Sequence, residues 1–276
     1  MRKYYSFLFY FILTLALGCS VTYLYHIATA PFPATPKSST TVPATTETPT
    51  TTTPPTTPPQ TTPPQPDLAA LFPAYTVTAT LKNAAAGLPK GYTGAVKYGK
   101  GGVFYRVLSP TGEAIRVEAD NLTLSAPEDF QLPPVSKATV ENLAKERHFE
   151  SDTDYLVVCC LSRLETYLFK TSPDGWILEK RMDCSTGDLF HPTPTGNYQI
   201  TTKFPAIGKA GEYTCPYALG FFGNYLFHSI PLAPDQSAPT DPRIGGRISN
   251  GCIRLRTEDA RWLYQTIPLG TAVVIF

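Results

Sequence analysis

The sequence predicts a mainly β protein carried on an N-terminal membrane helix and a disordered tether. Three observations predict it. An uncharged stretch runs from Tyr4 to Pro36, and a Pro/Thr tract follows. From residue 67 onward, short apolar runs recur between Gly, Pro and Asn turn signals. The abundance of Tyr (16) and Phe (15) against only 2 Met also favours strands.

Residues 1–30 read as an N-terminal membrane anchor or uncleaved signal. Residues 6–27 are enough to cross about 30 Å of hydrocarbon as a helix rising about 1.5 Å per residue. Arg2 and Lys3 precede this stretch and Lys37 is the first charge after it. That asymmetry keeps the N-terminus in the cytoplasm and sends the remainder outside. Two other readings stand beside it. Ala28-Thr29-Ala30 has the form of a signal cleavage site, although Pro31 would follow the scissile bond, and Leu17-Gly18-Cys19 resembles part of a lipobox.

Residues 31–66 contain 12 Pro and 14 Thr and almost no large apolar side chain. Such a segment buries too little surface to offset the entropy of ordering, so it is expected to be a disordered linker. Extended at about 3.1 Å per residue it would reach roughly 110 Å. That length suits a domain working inside a thick cell wall.

Residues 67–132 are expected to form a small β domain, SH3-like, with strands at 75–81, 94–98, 102–108, 114–118 and 122–125. Gly99-Lys100-Gly101-Gly102 and Ser109-Pro110-Thr111-Gly112 separate them. Its role is read either as wall binding or as a plain spacer.

Pro133-Pro134 opens a larger domain, residues 133–276. Ser136 is placed to cap a helix over 137–147. Residues 154–161 read as a buried strand, and 165–170 and 176–183 as a hairpin turning at Ser172-Pro173-Asp174-Gly175. Further strands are expected at 198–200, 225–230, 252–255 and 271–276. A helix capped by Thr257 should end before Pro268.

Composition excludes some functions. A net charge of +1 gives no broad attraction to nucleic acid. The six cysteines form no C-x-x-C pair and no Cys/His cluster with zinc spacing, so no metal or cofactor is expected. Cys159 and Cys160 read as buried strand residues. Whether Cys184 and Cys215 form a disulfide stays open, because sequence does not give their distance.

Three segments carry the candidate chemistry. They are Thr193-Pro194-Thr195-Gly196, then Tyr225-Leu226-Phe227-His228-Ser229, then Ser249-Asn250-Gly251-Cys252-Ile253-Arg254. A Cys after Gly at a loop-to-strand junction can sit on a tight turn with backbone N–H groups converging on one point. A thiol becomes a strong nucleophile when a neighbouring base, or an imidazolium that lowers its pKa, favours the thiolate. Of His26, His148, His191 and His228, only His228 ends an apolar strand, where packing would fix it. Taken singly, a Cys or a His in a β-rich core is usually structural. In this combination they point to catalysis.

Together the segments resemble the L,D-transpeptidase (YkuD-type) catalytic domain, which carries a T-P-T-G segment, a His and an S-H-G-C-hydrophobic-R signature in this order. The resemblance covers about residues 150–276. The chain departs from it in two ways: the signature histidine is Asn250, and the His228-to-Ser249 interval is longer, with 231–247 read as an enlarged loop over the site.

The resemblance implies a β-sandwich-like domain with a capping helix, facing the cell wall. It also implies a concrete reaction. Cys252 attacks the carbonyl before D-alanine in a peptidoglycan stem peptide. D-Alanine leaves, and an amine on an acceptor stem attacks the thioester to give a 3→3 cross-link. His228 is then the base, and the Ser229 carbonyl orients its ring. The N–H groups of Gly251 and Cys252 form the oxyanion hole, beside Ser249 and Asn250. Arg254 either meets a substrate carboxylate or makes a structural ion pair. Two other readings use the same residues: an L,D-carboxypeptidase, and a wall-binding scaffold with a degenerate catalytic domain.

Overall fold

Five strands follow closely on the turn signals of residues 67–132. They are β1 (Thr78–Leu81), β2 (Thr93–Lys100), β3 (Phe104–Leu108), β4 (Ala114–Glu118) and β5 (Leu122–Ser125). All pair antiparallel, in the order β4-β3-β2-β1-β5. A single helical turn, α1 (Leu68–Leu71), precedes them, capped by the Asp67 carboxylate. The computed structural model describes residues 67–276; the expected anchor and linker, residues 1–66, lie outside the described residues. No helix among the described residues is long and apolar enough to cross a membrane.

Helix α2 (Lys137–Glu146) starts where Ser136 Oγ accepts from the Thr139 N–H at 3.1 Å. The second sheet contains β6 (Tyr155–Cys160), β7 (Glu165–Ser172), β8 (Gly175–Gly187), β9 (Gly196–Gln199), β10 (Thr202–Lys209), β11 (Tyr213–Phe222) and β12 (Tyr225–Ser229). Three short strands complete it: β13 (Arg247–Ser249), β14 (Ile253–Leu255) and β15 (Ala272–Ile275). Its order is β10-β11-β12-β14-β8-β7-β6-β15-β9, with β13 beside β8. Helix α3 (Thr257–Thr266) packs on β11 and β12. Its cap is Arg256, one residue before the expected Thr257, and that cap makes no side-chain bond.

The continuous apolar run of β6 has a direct cause. Val157 and Cys159 point into one core cluster, while Leu156, Val158 and Cys160 point into another, beneath α2. A strand covered on both faces needs no polar alternation. The first cluster also contains Val77, Val96 and Val107, so the two sheets share one core. Arg247 strengthens the junction: its guanidinium lies 3.4 Å from the Tyr75 ring centroid and bonds Asp129 and the Leu161 carbonyl. All five described cysteines are free thiols. Cys184 on β8 and Cys215 on β11 are separated by β14 and β12. Three inter-strand spacings, roughly 14 Å, exceed disulfide reach. Cys184 instead has its Sγ 4.0 Å from that of Cys159.

Candidate active site

The parallel pairing of β12 with β14 places Phe227 opposite Ile253, His228 opposite Arg254 and Ser229 opposite Leu255. Phe227 and Ile253 face the core. Alternation therefore sends His228 and Arg254 to the other face, and Cys252 immediately precedes β14. The residue before Cys252 must be glycine. Gly251 has φ +105°, and a Cβ there would lie 2.5 Å from the Tyr225 ring.

Short hydrogen bonds hold the turn. Ser249 Oγ donates to the Cys252 carbonyl at 2.6 Å and accepts from the Gly251 N–H at 3.1 Å. The Gly251 amide is thus already engaged and is not directed at an oxyanion, unlike the sequence expectation. Thr193, buried, accepts from the Gly187 N–H at 2.8 Å and donates to the Gly251 carbonyl at 2.9 Å. That is the work of the first Thr of the Thr-Pro-Thr-Gly segment. It ties the end of β8 to the Cys252 turn, a role the sequence motif flagged without defining.

His228 is buried, and its Nδ1 lies 2.6 Å from the Ser229 carbonyl. A carbonyl only accepts, so Nδ1 carries the proton and Nε2 keeps its lone pair. Burial, and secondarily the Arg254 guanidinium, lower the His228 pKa to about 4 against the opposing pull of the Ser229 bond. Burial raises the Cys252 thiol above its usual range, opposed by a backbone hydrogen bond from Leu226. The resting pair is therefore neutral thiol and neutral imidazole. An imidazolium that depresses the thiol pKa in advance does not fit this environment, because a buried charge without a counter-ion is disfavoured. Sγ, partly exposed, points to the Asn224 carbonyl at 3.7 Å.

Arg254 is buried and pairs with Asp241 of the enlarged loop at 2.8 Å. Its Nε has no partner. Asp241 also pairs with Arg243 at 2.8 Å, and these two guanidinium groups hold its carboxyl well below the usual range. Nothing in the loop's sequence singled out Asp241. His191 is half-exposed; its Nδ1 meets Asp188 Oδ1 at 2.9 Å. Asn250 is exposed beside it, and both line a groove with Asn224. Another hollow, about 890 Å³ around Trp176 and Asn197, includes none of the residues of the Cys252 turn. Among the described residues no group of three or more His, Cys, Asp and Glu side chains is arranged to hold a metal ion.

Residues 157–275 match the family model of the L,D-transpeptidase (YkuD) catalytic domain. This stretch is an L,D-transpeptidase-family catalytic domain. The chain is similar to the putative L,D-transpeptidase YciB of Bacillus subtilis, 46% identical over 55 residues, which are 19% of this chain and 28% of that protein. It is 26% identical over 189 residues to the probable L,D-transpeptidase ErfK/SrfK of Escherichia coli, covering 66% of this chain and 58% of that relative. Among solved structures, a fused Zn-dependent amidase/peptidase/peptidoglycan-binding domain-containing protein of Clostridium acetobutylicum aligns at 33% identity. That alignment covers 51% of this chain and 59% of the other, with a TM-score of 0.44. The chain thus spans less than two thirds of these relatives' lengths. Within this domain, β12 contains His228 and Ser229, β13 ends at Ser249, and the turn between β13 and β14 contains Asn250, Gly251 and Cys252.

Proposed function

We propose that the domain is an L,D-transpeptidase that forms 3→3 peptidoglycan cross-links through a Cys252 thioester. Its substrates are a donor and an acceptor stem peptide. The observation that carries this reading is His228: dry, neutral, its Nδ1–H fixed by the Ser229 carbonyl, on the strand that pairs with the one Cys252 leads into. Because the resting thiol is protonated, attack and proton transfer go together. Sγ turns from the Asn224 carbonyl, bonds to the carbonyl carbon before D-alanine and gives its proton to Nε2. The Cys252 N–H is the expected oxyanion donor. As the C–N bond breaks, the imidazolium returns the proton to the D-alanine amine. The acceptor amine then attacks the thioester, loses its proton to Nε2, and Sγ leaves as a thiol.

The remaining assignments follow from the same reading. Residues 1–30 hold the protein at the membrane, 31–66 act as its tether, and the catalytic domain faces the cell wall. The uncharged span from Tyr4 to Pro36 and the Pro/Thr tract support this. Full-length protein should fractionate with membranes; mature protein beginning at Pro31 or later in the culture supernatant overturns the anchor. For the chemistry, intact-mass spectrometry with a tetrapeptide stem should show the acyl adduct minus D-alanine. Added acceptor amine should convert the adduct to a cross-linked dimer; free tripeptide as the dominant product regardless of acceptor indicates the carboxypeptidase instead.

A further inference from the structure

The N-terminal sheet makes part of the groove beside the nucleophile. The β2–β3 hairpin is bonded to the catalytic loops at several points. Tyr225 Oη donates to the Gly99 carbonyl at 3.1 Å, Tyr105 Oη donates to the Phe190 carbonyl at 2.8 Å, and Lys97 donates to the Thr195 carbonyl. Tyr98 packs edge-on against Phe222 with ring centroids 5.2 Å apart. Gly101 comes so close to the His191 imidazole that a Cβ there would run into the ring. The hairpin is therefore fixed against the residues flanking Cys252.

Between them lies a groove of about 730 Å³, in the range of ligand sites. Its lining includes Asn224, whose carbonyl is 3.7 Å from Sγ, and Asn250, two residues before Cys252. The hairpin contributes Tyr98, Lys100 and Phe104 to the same lining. Lys100 is exposed at the rim, and no carboxylate lines the groove. A cation on a groove with aromatic walls and no carboxylate in its lining, the Asp188 carboxylate being taken up by His191, suits an anionic ligand with apolar parts.

We propose that this groove is a subsite for a carboxylate-bearing peptide, held by Lys100 of the N-terminal sheet and guided toward Cys252. In the function proposed above, on which this inference rests for its substrate class, the peptide is the acceptor stem. Selection of the acceptor then depends on the sheet as well as on the catalytic domain.

The test separates binding from chemistry. Full-length Cys252→Ala protein is titrated calorimetrically with a tetrapeptide stem carrying its free carboxylates, and with the same peptide fully amidated. The acid should bind about 3- to 5-fold more tightly than the amide, as suits one solvent-exposed ion pair. Lys100→Ala, in the same Cys252→Ala background, should remove that preference, and Lys100→Glu should reverse it. Salt should weaken binding of the acid but not of the amide. In the active protein, Lys100→Ala should raise the KM for acceptor. An acid-over-amide preference that persists in Lys100→Ala overturns the subsite, whatever the acylation result. If Cys252 is not acylated by stem peptide but the Lys100-dependent preference is found, the subsite stands and the transpeptidase reading falls.

Discussion

Strand β12 and the loop of residues 188–195 each bring a histidine toward the Cys252 turn, in opposite ways. His228 is buried, and its ring bonds a backbone carbonyl. His191 is half-exposed, and its ring bonds the Asp188 carboxylate, whose Oδ1 also takes the Phe190 and His191 amides. A carbonyl in a dry site fixes a tautomer and leaves a free lone pair, which is what a base requires. A carboxylate with three bonds shapes a loop. The loop contributes to the site through Thr193 and the groove wall, and in the proposed reaction the strand contributes the proton acceptor.

The comparison breaks most plainly at the nucleophile. Cys252→Ala should abolish acylation by stem peptide or carbapenem altogether. The interior thiols are poor substitutes: the neighbouring Cys184 thiol and then burial raise Cys159 well above the usual thiol range, and burial pushes Cys215 up to about 11. A mass adduct retained on Cys159, Cys184 or Cys215 would refute the assignment.

His228→Ala should slow acylation at pH 7 by about 10²-fold or more, a general-base contribution. The deficit should shrink as pH rises through the thiol range, where hydroxide replaces the base. His191→Ala should stay near the parent rate. Dependence on His191 with indifference to His228, read from single-turnover mass spectrometry, would invert the comparison.

The pH dependence sharpens it. With a His228 pKa of about 4, the base stays competent well below the ordinary histidine value of about 6.5. Acylation should hold from pH 7 to about 5 and fall only toward pH 4. Stability carries the same signature. The folded pKa lies below the unfolded one, so between pH 6.5 and 4 the unfolded chain binds more protons. The contribution is fully present above pH 6.5 and is lost on acidification, up to about 3 kcal/mol. Urea unfolding of His228→Gln should lack that part of the slope; an unchanged slope would place the titration elsewhere.

The smallest effect concerns the loop. Thr193→Val keeps the volume but leaves the Gly187 N–H and Gly251 carbonyl unpaired. It should cost about 1–3 kcal/mol in thermal or urea unfolding and slow acylation without changing its pH profile. A shifted profile would mean that Thr193 acts on the base and not on the turn.

The sequence made much of this legible, for physical reasons. The five N-terminal strands, α2 and the β7–β8 hairpin announce themselves through turn residues and a Ser cap, which act locally. Strands β10 and β11 went unread because Pro205, Gly208 and Pro216 lie inside them and look like breakers. In β10 the pattern is mostly exposed and carries no alternation. In the site, the order Thr193, His228, Cys252 was visible as a motif. The Asp241–Arg254 pair, the shared groove and the neutral resting state were not, because each depends on contacts between segments distant in sequence or on burial that no spacing encodes.

Strand β9, which begins at Gly196 directly after Thr195, has a single ladder partner in its sheet, β15. β15 in turn bridges to β6, far upstream. During synthesis, β9 cannot pair into its sheet until residues 272–275 have emerged, whereas the Thr193 bonds to Gly187 and Gly251 do not wait for that strand. Such late, long-range closure is slow. The strand that continues from the Thr193 loop is therefore held through β15, whose other ladder joins residues more than a hundred positions apart, and its order depends on that distant closure.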